Sequence, residues 1–341
     1  MSEQVYNKVQ LGQQSVVGTA VAATTVFPVD AGFLGFELDR AADSPDEDFG
    51  SISREWPGRE SYGVRWATAS LPFVARFQDF MHVQQMHFDT VTTAGAGPYT
   101  HTSIFDESGS VLSTALKPYT VQYGVVGSTQ DEHRATGCLA TGLTLGFDAL
   151  TAPGNSMWKG TLDLVAVNRT QSAMTAAQTA PATLETMEGH LTTLSAKDTS
   201  TAFASLTAIS GSLKQFSMTS ALNAIGRVYG GSTDIPTGIG VSGKGTVDFD
   251  MLIAISSANL TEFEATFEVS GSVASERRFR IAIAGSGTNT ATLDFRGRYR
   301  AVDVGEVDGE RLYACKGVFV YDATLASRAM WITTNSVATI P

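Results

Sequence analysis

Cysteine is scarce in this 341-residue chain: Cys138 and Cys315 are its only two, far apart in sequence. Two distant thiols cannot build a disulfide framework or a CxxC metal site. Charge is scarce as well. Charged residues make up 17% of the chain, below the roughly 25% usual for soluble domains, and the 23 Lys and Arg are outnumbered by 34 Asp and Glu, a net charge of −11. That balance argues against a protein that grips nucleic-acid phosphates, because such binding needs clustered Lys and Arg. Long apolar runs are missing too: nothing approaches the ~20 residues of a membrane helix. Met1-Ser2-Glu3-Gln4 opens no basic segment followed by an apolar one, so the expectation is a cytoplasm-made chain without a secretion signal.

What is plentiful is Thr, Ser and Gly (33 of the last), a composition that favours strands and turns. Alternating runs bounded by Gly, Asn and Asp predict strands at Tyr119–Val126, Gly137–Phe147 and Trp158–Val167. Further along they predict Leu213–Leu222, Thr246–Ile255, Arg278–Ala284, Ala291–Val302 and Arg311–Tyr321. Two helices are expected. One is Leu71–Phe88, with Ser70 as N-cap, Pro72 in the first turn and Phe73, Phe77, Phe80, Met81 and Phe88 near one face. The other is short, with Asn259 and Glu262 as a capping box and Leu260, Phe263 and Phe267 on a face.

The length suits two domains of ~100–200 residues each. Asn168–Thr183, rich in Ala, Thr and Gln, reads as the connection, giving an N-terminal domain at 1–170, a linker at 171–183 and a C-terminal domain at 184–341. Both halves carry many strands, one helix and a late strand with a cysteine. Arg134–Cys138 and Arg311–Cys315 share an Arg four residues before the Cys, which suggests a duplication. Glu37–Arg65 reads as a long polar loop, acidic first (Asp39, Asp43, Asp46, Glu47, Asp48) and then basic (Arg54, Arg59, Arg65). Loops of that length are usually functional or disordered. Its two readings are a solvated excursion and a contact arm meeting complementary patches on neighbouring copies.

The search for catalytic chemistry finds little. Gly238-Ile239-Gly240-Val241-Ser242-Gly243 fits GxGxxG, but such a loop needs a strand before it and a helix after it. Here Pro236 precedes, and Val247, Phe249, Met251 and Ile253 alternate as a strand beyond. A glycine turn is the plainer reading. His82 and His87 are five apart, which on a helix points them to different faces, and His101, His133 and His190 are isolated. No GxSxG elbow occurs, and the dispersed carboxylates name no glycosidase pair. No catalytic residue, metal or cofactor is assigned. Trp56, Trp66, Trp158 and Trp331 are scattered, so a carbohydrate-binding β-sandwich has no evident aromatic platform.

A resemblance enters at Lys8-Val9-Gln10-Leu11-Gly12 followed by Gly18-Thr19-Ala20-Val21-Ala22-Ala23-Thr24-Thr25. This opening resembles that of tail tube proteins of long-tailed, non-contractile bacteriophages. The likeness continues at Tyr99-Thr100-His101-Thr102, at Tyr119-Thr120-Val121-Gln122-Tyr123-Gly124 (Gln122 standing where the family usually has an acid) and at Arg134-Ala135-Thr136-Gly137-Cys138. In the second half it takes in Ser212–Leu222, the helix at Asn259, Arg278-Phe279-Arg280-Ile281-Ala282-Ile283, Asp308-Gly309-Glu310 and Lys316-Gly317-Val318-Phe319. It covers nearly the whole chain as an ordered series of short degenerate matches.

The resemblance implies a mainly β structural protein of the virion tail with no enzymatic residues. It implies two β-sandwich tube domains, each with a flanking short helix, whose inner sheets join on oligomerisation into a β-barrel channel. Two domains per chain imply a homotrimeric, pseudo-hexameric ring, stacked helically. The partners implied are other copies of the chain, a tape measure protein, tail terminator and distal tail proteins, and DNA passing without sequence-specific binding. No membrane is involved. The Glu37–Arg65 segment is then the candidate ring-to-ring contact, and an acidic, Ser- and Thr-dressed wall would let DNA slide. The alternatives are another virion β-protein, for capsid decoration or tail completion, and the carbohydrate-binding module.

Overall fold

The computed structural model describes residues 8–30, 33–43, 61–88, 91–105, 117–125, 131–150, 156–176, 184–209, 213–221, 224–227, 238–241, 245–254, 276–307 and 309–338. The first half contributes β1 (Lys8–Gln13), β2 (Thr25–Phe27), β3 (Glu37–Asp43), β4 (Ser61–Val74), α1 (Phe80–His87), β5 (Thr92–Ala94), β6 (Tyr99–Ile104), β7 (Tyr119–Gly124), β8 (His133–Asp148), β9 (Lys159–Ala166) and β10 (Asn168–Gln171). The second contributes β11 (Thr192–Asp198), β12 (Thr207–Ile209), β13 (Leu213–Ala221), β14 (Ala224–Arg227), β15 (Gly238–Val241), β16 (Thr246–Ala254), β17 (Glu276–Ala284), β18 (Thr290–Val307), β19 (Glu310–Val320) and β20 (Ala329–Asn335). The protein is mainly β. Eighteen strands form one large antiparallel sheet, and β14 and β15 pair separately.

All eight runs predicted from alternation are strands, because each sets apolar side chains on one side and leaves the other polar. In β16, Val247, Phe249, Met251 and Ile253 are buried while Thr246 and Asp250 are exposed.

Three expectations need correction. The helix expected at Leu71–Phe88 is α1 alone, beginning at Phe80; Leu71–Val74 belong to β4. Ala67, Leu71 and Phe73 are buried there and Thr68 and Ser70 exposed, a period of two that the aromatic spacing disguised. Pro72 is tolerated because β4 has passed the end of β3 at that point and its remaining neighbour, the isolated bridge Val29↔Phe73, uses the Pro72 carbonyl, which accepts from Asp30 N–H. Asp79, not Ser70, is the N-cap, and its side chain makes no cap hydrogen bond. Second, the Glu37–Arg65 segment is not irregular throughout. Its ends are paired strands in register Glu37↔Thr68, Asp39↔Trp66 and Arg40↔Arg65, since a ladder uses backbone groups and accepts polar side chains. Third, Asn168–Gln171 is a strand on β8 rather than the start of a connection. The helix expected at Asn259 lies outside the described residues.

The pairing plan occurs twice. In the first half β1 pairs with β2 and β7, β7 with β8, β8 with β9 and β10, β9 with β4, and β4 with β3. In the second, in the same chain order, β11 pairs with β12 and β17, β17 with β18, β18 with β19 and β20, β19 with β16, and β16 with β13. Even the irregularities agree: β8 skips Thr141 opposite β9, and β18 skips Arg300 opposite β19. Arg134–Cys138 and Arg311–Cys315 do not mark this repeat. They lie in β8 and β19, strands with different places in the plan.

One hydrophobic core runs through both halves. Trp158 anchors it, with ring centroids 5.1 Å from Phe147, 5.7 Å from Phe216 and 6.2 Å from Trp331. Phe80 of α1 sits 4.7 Å from Trp331, and Phe295 stacks on Phe319 at 4.1 Å. All eight residues of α1 are buried, against β8, β6 and β20. Most of its polar groups find protein partners, while Gln84 Oε1 and His87 Nδ1 have none among the described residues.

Candidate functional surface

Among the described residues two strand junctions join the halves, besides the isolated bridges Arg76↔Thr186 and Met157↔Glu188. The strand β20 pairs with β6, and the second part of β8 pairs with β13, from Gly142↔Ala221 to Asp148↔Gln215. The latter links eight strands into one run, β3–β4–β9–β8–β13–β16–β19–β18. One side of this run carries the buried apolar residues. The other is set by registers such as Pro72↔Thr161, Thr161↔Thr144, Thr144↔Thr219, Thr219↔Asp248, and Ser217↔Asp250, Asp250↔Lys316, Lys316↔Ala301. Directly opposed residues share a face, so this outer face is dominated by Thr, Ser, Gly and carboxylates.

Its charges are predominantly negative. Glu37, Asp163, Asp250 and Asp303 are exposed and Asp248 half-buried, against Lys159, Lys316 and Arg298, the last held by Glu276. Arg300 donates to Asp248 Oδ1 at 3.2 Å, which neutralises one of the five. Ser70 Oγ donates to Asp163 Oδ1 at 2.6 Å, and Lys159 is drawn aside to Asp30 at 2.9 Å. Near β3 the face holds a cavity of about 360 Å³, lined by Gly35, Glu37, Thr68, Thr141 and Asp163 among others. In the second half the place of Thr141 is taken by Arg300, which spans the corresponding gap to Asp248.

The residues singled out in the sequence fall elsewhere. Asp39, Asp43 and Arg65 lie in the β3–β4 hairpin, which brings Arg40 opposite Arg65 and Asp39 opposite Trp66. Asp46, Glu47, Asp48, Arg54 and Arg59 lie outside the described residues. Gly238–Val241 is β15, paired with β14, and the rest of the GxGxxG stretch lies outside the described residues. Among the described residues no three His, Cys, Asp or Glu side chains gather as a metal site. Trp158 and Trp331 are core residues.

The buried histidines belong to the interior. His82 Nδ1 donates to the Tyr119 hydroxyl at 3.3 Å, which donates onward to Gln85 Oε1 at 3.2 Å. His87 Nε2 lies 2.8 Å from Ser220 Oγ of β13. Burial pushes their pKa values down to about 4 for His82 and about 3 for His87, so both are neutral at pH 7. Burial raises Asp79 to about 6 against the pull of Arg76. It also pushes the Cys315 thiol up to about 12 and Cys138 further in the same direction, which leaves both unreactive. These are the marks of a polar interior.

The outer face was missed in the sequence although its parity was visible. Each strand's polar positions could be read; which strands lie side by side could not. No protein-family model matches the chain, and no curated protein matches it.

Proposed function

We propose that this protein is a structural subunit of a phage tail tube, assembling into stacked rings around a channel through which DNA leaves the virion. The observation that carries the reading is the eight-strand run, built from two copies of one four-strand order and lined on its outer face by Thr, Ser and carboxylates. In this reading each half is a β-sandwich tube domain, and the run from each chain supplies an arc of a closed barrel. Three chains with eight strands each give a barrel of 24, wider than the 22-stranded barrels that already enclose a large lumen. Closure removes exposed sheet edges, which otherwise promote uncontrolled pairing.

The outer face would then be the channel wall. Its excess of carboxylates repels the phosphate backbone, so DNA meets no cationic grip. The reading gives the protein no catalytic residue, cofactor or metal, places it in the virion tail, and makes the tape measure, terminator and distal tail proteins its other partners. The Glu37–Arg65 segment, whose described ends lie in β3 and β4, is the candidate ring-to-ring contact.

Negative-stain electron microscopy of the concentrated protein tests this. Hollow tubes with a regular axial repeat and threefold ring averages are expected. Discrete particles that never stack, even when seeded with isolated tail tips, would sink the reading.

A further inference from the structure

In the doubled plan β8 and β18 hold the same place, and so do β13 and β3. Within the chain, β8 pairs with β13. Among the described residues, the matching part of β18, Ala301–Val307, pairs with β19 alone, and β3 pairs with β4 alone. The chain thus contains one finished junction and both sides of an unfinished one.

Exposure at the two places differs accordingly. At the finished junction Leu145 and Ser220 are 0% and 1% exposed. Their equivalents on the same core-facing side, Val304 and Leu38, are 57% and 49% exposed, large apolar side chains open to water where the core simply stops. The glycines tell the same story. A Cβ at Gly146 would stand 2.2 Å from the Phe216 carbonyl oxygen of the neighbouring strand, whereas at the equivalent Gly305 nothing lies within 4 Å.

We infer that the β18 edge of one chain pairs antiparallel with the β3 edge of a second copy, in the register Glu37↔Asp303, Leu38↔Val302 and Asp39↔Ala301. This repeats the intrachain pairs Thr219↔Thr144, Ser220↔Leu143 and Ala221↔Gly142. The alignment follows from the shared skips at Thr141 and Arg300, and from Glu37↔Thr68↔Val165 matching Thr219↔Asp248↔Val318. The inference rests on the self-assembly proposed above and specifies its contact residue by residue. Leu38 then packs beside Val302 and diagonally against Val304, continuing the core from chain to chain. Gly305 passes close to the backbone at Leu34 and Gly35, where a side chain would not fit. Because each copy offers a different edge on each side, the contact is heterologous and repeats until a ring closes.

Cysteine cross-linking tests the register. Glu37→Cys and Asp303→Cys are made as separate chains, mixed at high concentration and oxidised. Directly opposed strand residues lie within disulfide range. The matched mixture is expected to give at least tenfold more covalent dimer than Glu37→Cys mixed with Ala301→Cys or Gly305→Cys. The doubly substituted chain, Glu37→Cys with Asp303→Cys, should give a ladder ending at trimer. Each sample is also imaged. Tubes with cross-links only from offset pairs would overturn the register and leave the tube reading standing. Matched cross-links in particles that never stack would support the junction and sink the tube reading. No cross-link from any pair would overturn the junction. Independently, Gly305→Val should leave the melting curve of the single chain unchanged and abolish ring formation; rings that still form would overturn the inference.

Discussion

The two halves share a strand plan and differ in what holds their polar interiors. In the first, the buried polar groups other than Asp79 are neutral: His82, Tyr119 and Gln85 form a chain, and Gln14 donates to Thr120 Oγ1 at 2.7 Å while its Oε1 accepts from the backbone of Gly18 and Gly137. In the second they are ionic. Arg278 holds the fully buried Asp322 through two bonds of 2.8 and 2.9 Å and also donates to the Thr201 carbonyl and Thr324. Arg280 grips the equally buried Asp294 at 2.7 Å twice, and Arg296 and Arg298 converge on Glu276. The lesson is that the plan comes from apolar alternation and backbone pairing. The polar contacts satisfy what folding has buried, and they can be replaced by other chemistry without changing the topology.

Breaking the ionic half should have the largest effect. Asp322→Ala leaves the Arg278 guanidinium buried among groups it cannot fully use, and a loss of roughly 3–5 kcal/mol is expected in denaturant unfolding. Replacing Arg278 and Asp322 together by apolar residues should cost much less. Equal losses for the single and double variants would show that packing, not the uncompensated charge, sets the penalty.

Acid should separate the halves next. His82 and His87 titrate near 6.5 when unfolded and near 4 and 3 when folded, so the unfolded chain binds more protons between those limits. Their contribution is fully present above about pH 6.5 and is lost as pH falls. His133, held down by burial and by Arg169, acts in the same direction. Asp79 works oppositely, because its raised pKa near 6 makes the folded state take up a proton first, offsetting about one histidine. The net slope between pH 6 and 5 is on the order of 1.4 kcal/mol per pH unit. Burial alone would raise Asp322, but Arg278 and Thr324 hold it below the usual carboxylate range. The stability it supplies is therefore present above about pH 4 and lost only below it. His82→Gln with His87→Gln should remove the loss between pH 6 and 5 measured by urea midpoints, leaving Asp79 to tilt the slope the other way, and should leave the loss below pH 4 intact. An unchanged slope would place the titrating groups elsewhere.

The smallest effect belongs to the exposed pair of the first half. Lys159 and Asp30 lie 2.9 Å apart with both side chains largely in water. Lys159→Ala should change stability by less than about 1 kcal/mol in a thermal melt, and that difference should vanish in 1 M salt. A larger, salt-independent loss would mean that the lysine stem packs against the sheet.

Much of the strand content was legible because a strand's own side chains report its two faces. Val247, Phe249, Met251 and Ile253 need no knowledge of neighbours to be assigned inward. The failures share a cause. Phe73, Phe77, Phe80 and Met81 fit a helical face, yet Phe73 belongs to the alternation of β4, so the aromatic spacing blended two elements. Glu37–Asp43 looked like loop because its side chains are polar, while its backbone ladder is indifferent to them. The letters shared by Arg134–Cys138 and Arg311–Cys315 pointed to a repeat but aligned it wrongly, since the true equivalents, β8 and β18, share a skipped residue and the glycines Gly146 and Gly305 rather than a motif.

Composition, alternation and the shortage of cysteine and of positive charge determined by themselves that this chain is β-rich, acidic and free of a disulfide framework. Each of those properties is local or additive along the chain. Tertiary structure decided the rest: which strands meet, that the same plan occurs twice, that β8 and β13 weld the copies into one run, and that, among the described residues, β3 and the end of β18 have open edges. Backbone hydrogen bonds between strands carry almost no residue code, so the neighbours of a strand are chosen by how the whole set of apolar faces can be buried together.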